Sequence, residues 1–177
     1  MKIVWVIGVL STLWVPRLAG QQASSEQNKE KQEMTAACPM HDAHSKMNER
    51  GEKGMGFSQT ATTHHFFLNA SGGVIQVEAN DAADTANRDK IRMHLGHIAQ
   101  AFKNGDFDIP MLVHDTVPPG VAEMKALREK IQYSYEEKAN GGRVVIYSKD
   151  KDAIEAIHRF LRFQIEEHKT GDSTEVR

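Results

Sequence analysis

The chain has 177 residues, with 22 basic and 24 acidic side chains, nine histidines and a single cysteine. A formal charge of −2 argues against a nucleic-acid or anionic-membrane surface. One cysteine cannot close an internal disulfide, so the fold has to be held by its core.

The first predicted element is a signal peptide over residues 1–20. Met1-Lys2 gives a charged start, Ile3 to Val15 an apolar centre, and Pro16-Arg17-Leu18-Ala19-Gly20 small residues ahead of a polar stretch. Such a centre is too short to span a bilayer stably. The mature protein is therefore expected to be exported, periplasmic or secreted, with cleavage after Gly20 or Ala23. Losing Lys2 and Arg17 leaves 20 basic against 24 acidic side chains, and nothing later in the chain has the length and apolarity of a transmembrane segment.

Residues 21–56 are rich in Gln, Glu, Lys, Ser and Gly, with almost no β-branched or aromatic residue before Phe57. Such a segment buries too little apolar surface to offset its ordering entropy and reads as a flexible tether. It carries a cluster of its own, in which Cys38, Met40, His41, His44 and Met47 gather a thiol, two thioethers and two imidazoles within ten residues, with Met34 and Met55 nearby. Soft sulfur donors favour Cu(I) and imidazole accepts Cu(II) or Zn, so the arm reads as a metal-capture site. Its Cys-Pro-Met-His resembles the same tetrapeptide in short heavy-metal-binding segments of copper-handling proteins.

The folded domain is expected over residues 57–171, followed by a disordered tail, 172–177. Two stretches of it look alike. HHFFLNASGGVIQVEAND leads into a helix through KIRMHLGHIAQAF, and YSYEEKANGGRVVIYSKD leads into a helix through AIEAIHRFLRFQIEEH. Aligning Gly72-Gly73 with Gly141-Gly142 puts Phe66 on Tyr135, Ile75 on Val144 and Val77 on Ile146. Each Gly-Gly is expected to supply the positive φ of a hairpin connection. Between the two stretches, FKNGDFDIPMLVHDTVPPG reads as a loop, followed by a short helix from about Val121 to Lys130. The fold class is thus α+β: two ββα units forming a four-stranded antiparallel sheet, with the helices packed on one face.

The histidines fall into this frame by register. Adjacent strand residues face opposite ways, so in Thr62-Thr63-His64-His65 one ring goes in and the other out. Matching to Val77 and Ile146 makes His64 the inward one. On the first helix, Ile91, Leu95, Ile98 and Phe102 form the core stripe, and His94 and His97 flank it on one side, a turn apart. His158 falls within the stripe of the second helix, His114 follows the apolar run Met111-Leu112-Val113, and His168 ends the second helix, where its dipole favours an imidazolium.

Imidazoles at this spacing can share a transition metal, copper or zinc, and His64, His94, His97 and His114 are the expected ligands, with His158 in reserve. A haem held by His64 or His94 is an open variant, although no C-x-x-C-H attachment motif is present. HLGH lacks the glutamate of the zinc-peptidase H-E-x-x-H motif. A second function class is a non-metal module that binds a ligand or partner, or pairs as a homodimer, through the outer sheet face carrying His65, Phe67, Val145 and Tyr147. A third is a small enzyme with a histidine paired to Asp106, Asp108 or Asp115, for which no nucleophile elbow is present, so no catalytic residue is named.

From GFSQTATTHHFF through RMHLGHIAQAF, PMLVHDTVPPGV, GGRVVIYS and IHRFLRFQIEEHKTGD, the chain resembles a family of small exported bacterial proteins of uncharacterised function. Its members are sometimes labelled aspartate carbamoyltransferase. The resemblance implies no such activity here, because the chain is too short for that enzyme's two domains and lacks its Ser-Thr-Arg-Thr phosphate-binding motif.

Overall fold

A computed structural model describes residues 39–177, with side chains from Ser45 onward. The signal-peptide reading and Cys38 lie outside the described residues, as do the side chains of Met40, His41 and His44. Residues 39–177 form one compact unit. Its elements are α1 (Pro39–Met55), β1 (Thr62–Asn69), β2 (Gly72–Ala79), α2 (Thr85–Lys103), α3 (Asp108–His114), α4 (Val121–Ala126), a 3-10 turn (Arg128–Lys130), β3 (Ile131–Lys138), β4 (Gly141–Ser148) and α5 (Lys151–His168).

The α+β class and the four-stranded antiparallel sheet are as expected, with strand order β1-β2-β4-β3. Phe66 pairs with Ile75 and His64 with Val77, and in the second hairpin Tyr135 pairs with Val144 and Tyr133 with Ile146. Ile75 and Val144 are themselves partners across the sheet centre. The two hairpins thus repeat in register. Phe66, Leu68, Ile75, Val77, Val144 and Ile146 turn to the helices and are buried. Asp84 caps α2 by accepting the Asn87 N–H, and Asp150 caps α5 by accepting the N–H groups of Asp152 and Ala153.

The helices are exchanged between the repeats. α2 follows the first hairpin but lies mainly over β4 and β3, whereas α5 follows the second hairpin and lies over β1 and β2. Each helix ties down the hairpin it covers by the same two carbonyls. Arg92 of α2 donates to Lys138 O (2.8 Å) and Gly141 O (3.2 Å), and His158 of α5 donates from Nε2 to Asn69 O (2.9 Å) and Gly72 O (3.0 Å).

The paired glycines open the second strand of each hairpin instead of forming its turn. Only Gly72 of the four has a positive φ, 137°. Their smallness is needed for close approach: a Cβ on Gly73 would collide with Phe67 O and the Leu161 side chain, and one on Gly141 with Val77 O.

Three parts of the sequence reading are corrected. Residues 39–55 of the expected tether are the helix α1, which packs on α3, because Met47 and Gly51 bury one side and Arg50 Nε donates to Val113 O at 2.9 Å. Residues 108–114, read as loop because of Pro110, are helical; in a first turn a proline forfeits no hydrogen bond. The helix after Pro119 stops at Ala126 and gives way to the 3-10 turn.

The expected disordered tail is a fourth. Asp172 accepts the Phe66 N–H at 3.0 Å and pairs with His65 Nδ1 at 3.0 Å, Arg162 holds Thr174 O, and the Arg177 N–H donates to Leu68 O. The C-terminal residues thereby satisfy the open edge of β1, whose backbone groups would otherwise be a template for another chain.

Candidate histidine cavity

β1, α2, α3 and α5 each bring a histidine to one cavity beneath the sheet, of about 50 Å³, lined by His64, His94, His114 and His168 together with Gln164 and Met55. The remaining lining is apolar, including Phe66, Val77, Leu95 and Phe160. His64 is there because an inward strand position follows Val77, and His94 because the buried arc of α2 is wide enough to take it in, at 8% exposure. His114 closes α3. His168 continues the α5 stripe Leu161, Ile165 at the next i+3 step, a periodicity readable in the sequence but passed over there in favour of the helix-end charge.

The rings are in contact. His168 lies 5.3 Å from His64 and 5.1 Å from His114, centre to centre, while Phe57 sits 5.8 Å from His64 and 5.5 Å from His94. Burial, then the neighbouring His94 and His65, hold the His64 pKa down at about 4. Burial, then His97, bring His94 to about 4 as well. His114 is also lowered by burial, against the opposing effect of its hydrogen bond to Gln164. At neutral pH these three rings are uncharged, each with one nitrogen lone pair to offer.

That hydrogen bond fixes which lone pair His114 offers. Its Nε2–H donates to Gln164 Oε1 at 3.0 Å, so Nδ1 is the unprotonated nitrogen, and Nδ1 is buried without a protein partner. His64 Nε2 and Gln164 Nε2 are buried and unpartnered as well. An imidazole oriented by a carbonyl on one nitrogen and open on the other is the usual setting of a metal-ligating histidine. Among the described residues, however, no three His, Cys, Asp or Glu side chains already stand in a metal-holding arrangement.

The other expected ligands are placed elsewhere. His97 is exposed, because the buried arc of α2 ends at His94, so the two do not share an object. His158 spends its Nε2 proton on the β1–β2 hairpin and does not line the cavity. Met47 is 4% exposed and belongs to the α1 packing instead of to a mobile arm. Met55, from the same helix, does reach the cavity.

The outer sheet face carries His65, Phe67, Val145 and Tyr147, all half-buried, with the His65 and Phe67 rings stacked at 5.7 Å. Among the described residues the large exposed apolar side chains are Met93, Leu112, Val117 and Val176, none of them one of these four. Asp106 is used locally, accepting the Asp108 N–H, and a histidine–carboxylate pair forms instead between His65 and Asp172. A haem fares poorly, since pockets for ligands of even drug size run to about 300–1,000 Å³.

Fold and site together define a small α+β protein with an internal histidine cavity, in which no helix among the described residues is long and apolar enough to cross a membrane. No protein family, curated protein or solved structure gives a match to this chain.

Proposed function

We propose that the protein binds one copper ion in the histidine cavity and acts as an exported copper carrier. The observation that carries this reading is the pair of buried, unpartnered ring nitrogens, His64 Nε2 and His114 Nδ1, on the wall of one cavity. Each such nitrogen costs about 1–3 kcal/mol when left unsatisfied, a cost that a bound metal offsets.

His64, His114 and His168 are the donors, Met55 supplies a thioether, and His94 closes the side beyond Phe57. Two imidazoles on one metal, at metal–nitrogen distances of about 2.0–2.1 Å, have ring centres roughly 5 Å apart. The 5.1 Å spacing of His168 and His114, whose planes stand 86° apart, agrees with that, whereas the His64 and His168 rings lie 14° from parallel in a stacking contact. Imidazoles and a thioether, with no carboxylate in the lining, favour Cu(I) over zinc, which prefers a closed shell of four donors. Within this reading Cys38, Met40, His41 and His44 remain the capture segment, the last three of them within the helix that ends at Met55.

Metal content by mass spectrometry tests the proposal, on untagged full-length protein and on His64→Leu and His114→Leu variants. About one equivalent of copper in the parent, falling at least tenfold in both variants, is expected. A parent that holds no copper after anaerobic reconstitution with Cu(I) sinks the reading. One equivalent of zinc in its place corrects the metal and keeps the ligands.

A further inference from the structure

His64 and His168 line two spaces, the inner cavity and an outer cleft of about 240 Å³. The cleft is walled by Asn48, Gln59, Thr62, Thr63, Lys169 and Thr170 besides the two rings. The two stacked imidazoles therefore stand between the two spaces.

The two spaces differ in chemistry. The inner wall is apolar apart from its histidines and Gln164, whereas the cleft is built of amides, hydroxyls and one ammonium, with no carboxylate and no sulfur. A hydrated cation is drawn to carboxylates and repelled by an ammonium; a neutral or anionic species is not. Amide and hydroxyl groups hydrogen-bond the ligand shell of a complex without competing strongly for a soft metal.

We infer that this polar cleft is the port by which copper reaches the cavity, and that it accepts copper as a neutral or anionic Cu(I) complex instead of as a hydrated ion. The inference rests on the copper reading and adds the route and the form of the cargo. Transfer is ligand exchange: the bond from copper to its incoming ligand breaks as a bond to the imidazole nitrogen of His168 or His64 forms. The released ligand keeps its electron pair, and copper stays Cu(I) throughout.

Stopped-flow loading of the full-length protein tests the port. Two Cu(I) donors serve as probes: the anionic bicinchoninate chelate and the cationic acetonitrile complex. Thr63→Trp fills the mouth from an exposed strand position, and Lys169→Glu reverses the one charge of the wall. Thr63→Trp is expected to slow loading from both donors at least tenfold at unchanged final stoichiometry. Lys169→Glu is expected to slow loading from the anionic chelate several-fold and not from the cationic complex. Wild-type loading rates in both variants, with full final copper, overturn the port and leave the copper site standing. A parent that takes copper from neither donor overturns the copper reading itself.

Discussion

The ring of His168, in the last turn of α5, lies 5.3 Å from the ring of His64 on β1, with their planes 14° apart. The contact spans more than a hundred residues of chain and exists because α5 crosses onto the hairpin of the other repeat. A cavity bounded by such a pair draws its donors from elements far apart in sequence, so its properties depend on the fold staying closed. Four expectations follow from that geometry.

His64→Leu should make the copper-free protein more stable, not less. The native ring leaves Nε2 buried and unpartnered, and an apolar side chain of similar reach removes that cost of about 1–3 kcal/mol. For a domain of this size a gain of 1 kcal/mol raises the melting temperature by about 3 °C, measurable by scanning calorimetry. A lower melting temperature would mean that the imidazole has a structural partner after all.

His158→Leu should behave in the opposite way. It removes the donor to Asn69 O and Gly72 O and strands both carbonyls, a loss of about 2–3 kcal/mol in urea unfolding. Copper binding should be unchanged, since His158 does not line the cavity. Arg92→Met should weaken the opposite hairpin by a smaller amount, because part of its contact is exposed.

Gly73→Ala should destabilise by about 1–3 kcal/mol, as overpacking does. The new methyl group meets the Leu161 side chain where β2 passes under α5, and the Phe67 carbonyl oxygen, which cannot yield without shifting the sheet. Gly96→Ala, on an open part of α2, should instead be neutral or stabilising, as alanine favours helix. Equilibrium unfolding of the two variants side by side separates the effects.

The pH dependence has a defined sign. His64 and His94 are held near pKa 4 in the folded state and return to about 6.5 on unfolding, so the unfolded chain binds more protons between those values. Their contribution is full above about pH 6.5 and is lost as pH falls toward 4, by about 3 kcal/mol for each ring at most. Because His64 is one of the proposed copper donors, copper held at neutral pH should be lost as pH falls through the same window, which equilibrium dialysis checks. Release centred on pH 6.5 would indicate ordinary exposed imidazoles.

Much of this fold was legible because it repeats. The offset that places Gly72 on Gly141 also gives the strand register, since alternation along an amphipathic strand leaves one way to bury Ile75, Val77, Val144 and Ile146 together. The inward direction of His64 came with that register. The glycines were placed correctly in the chain but read for the wrong property, because turn preference is visible in a sequence and the approach of Leu161 to Gly73 is not.

The helix α1 and the tail along β1 were illegible for a related reason. Both are polar segments that order themselves through a few long-range contacts, Met47 and Arg50 against the α3 region in one case and Asp172 against β1 in the other. Composition weighs the average residue, whereas these segments are fixed by exceptional ones.

Fold class, sheet register and the inward turn of His64 are carried by local periodicity and so can be read along the chain. Tertiary structure alone decided that His94 belongs to the cavity and His97 to the surface, that His158 serves a hairpin, and that His168 joins His64 and His114. Those outcomes depend on where the edge of a buried arc falls and on which hairpin a helix crosses, and both are settled only when all the elements pack at once.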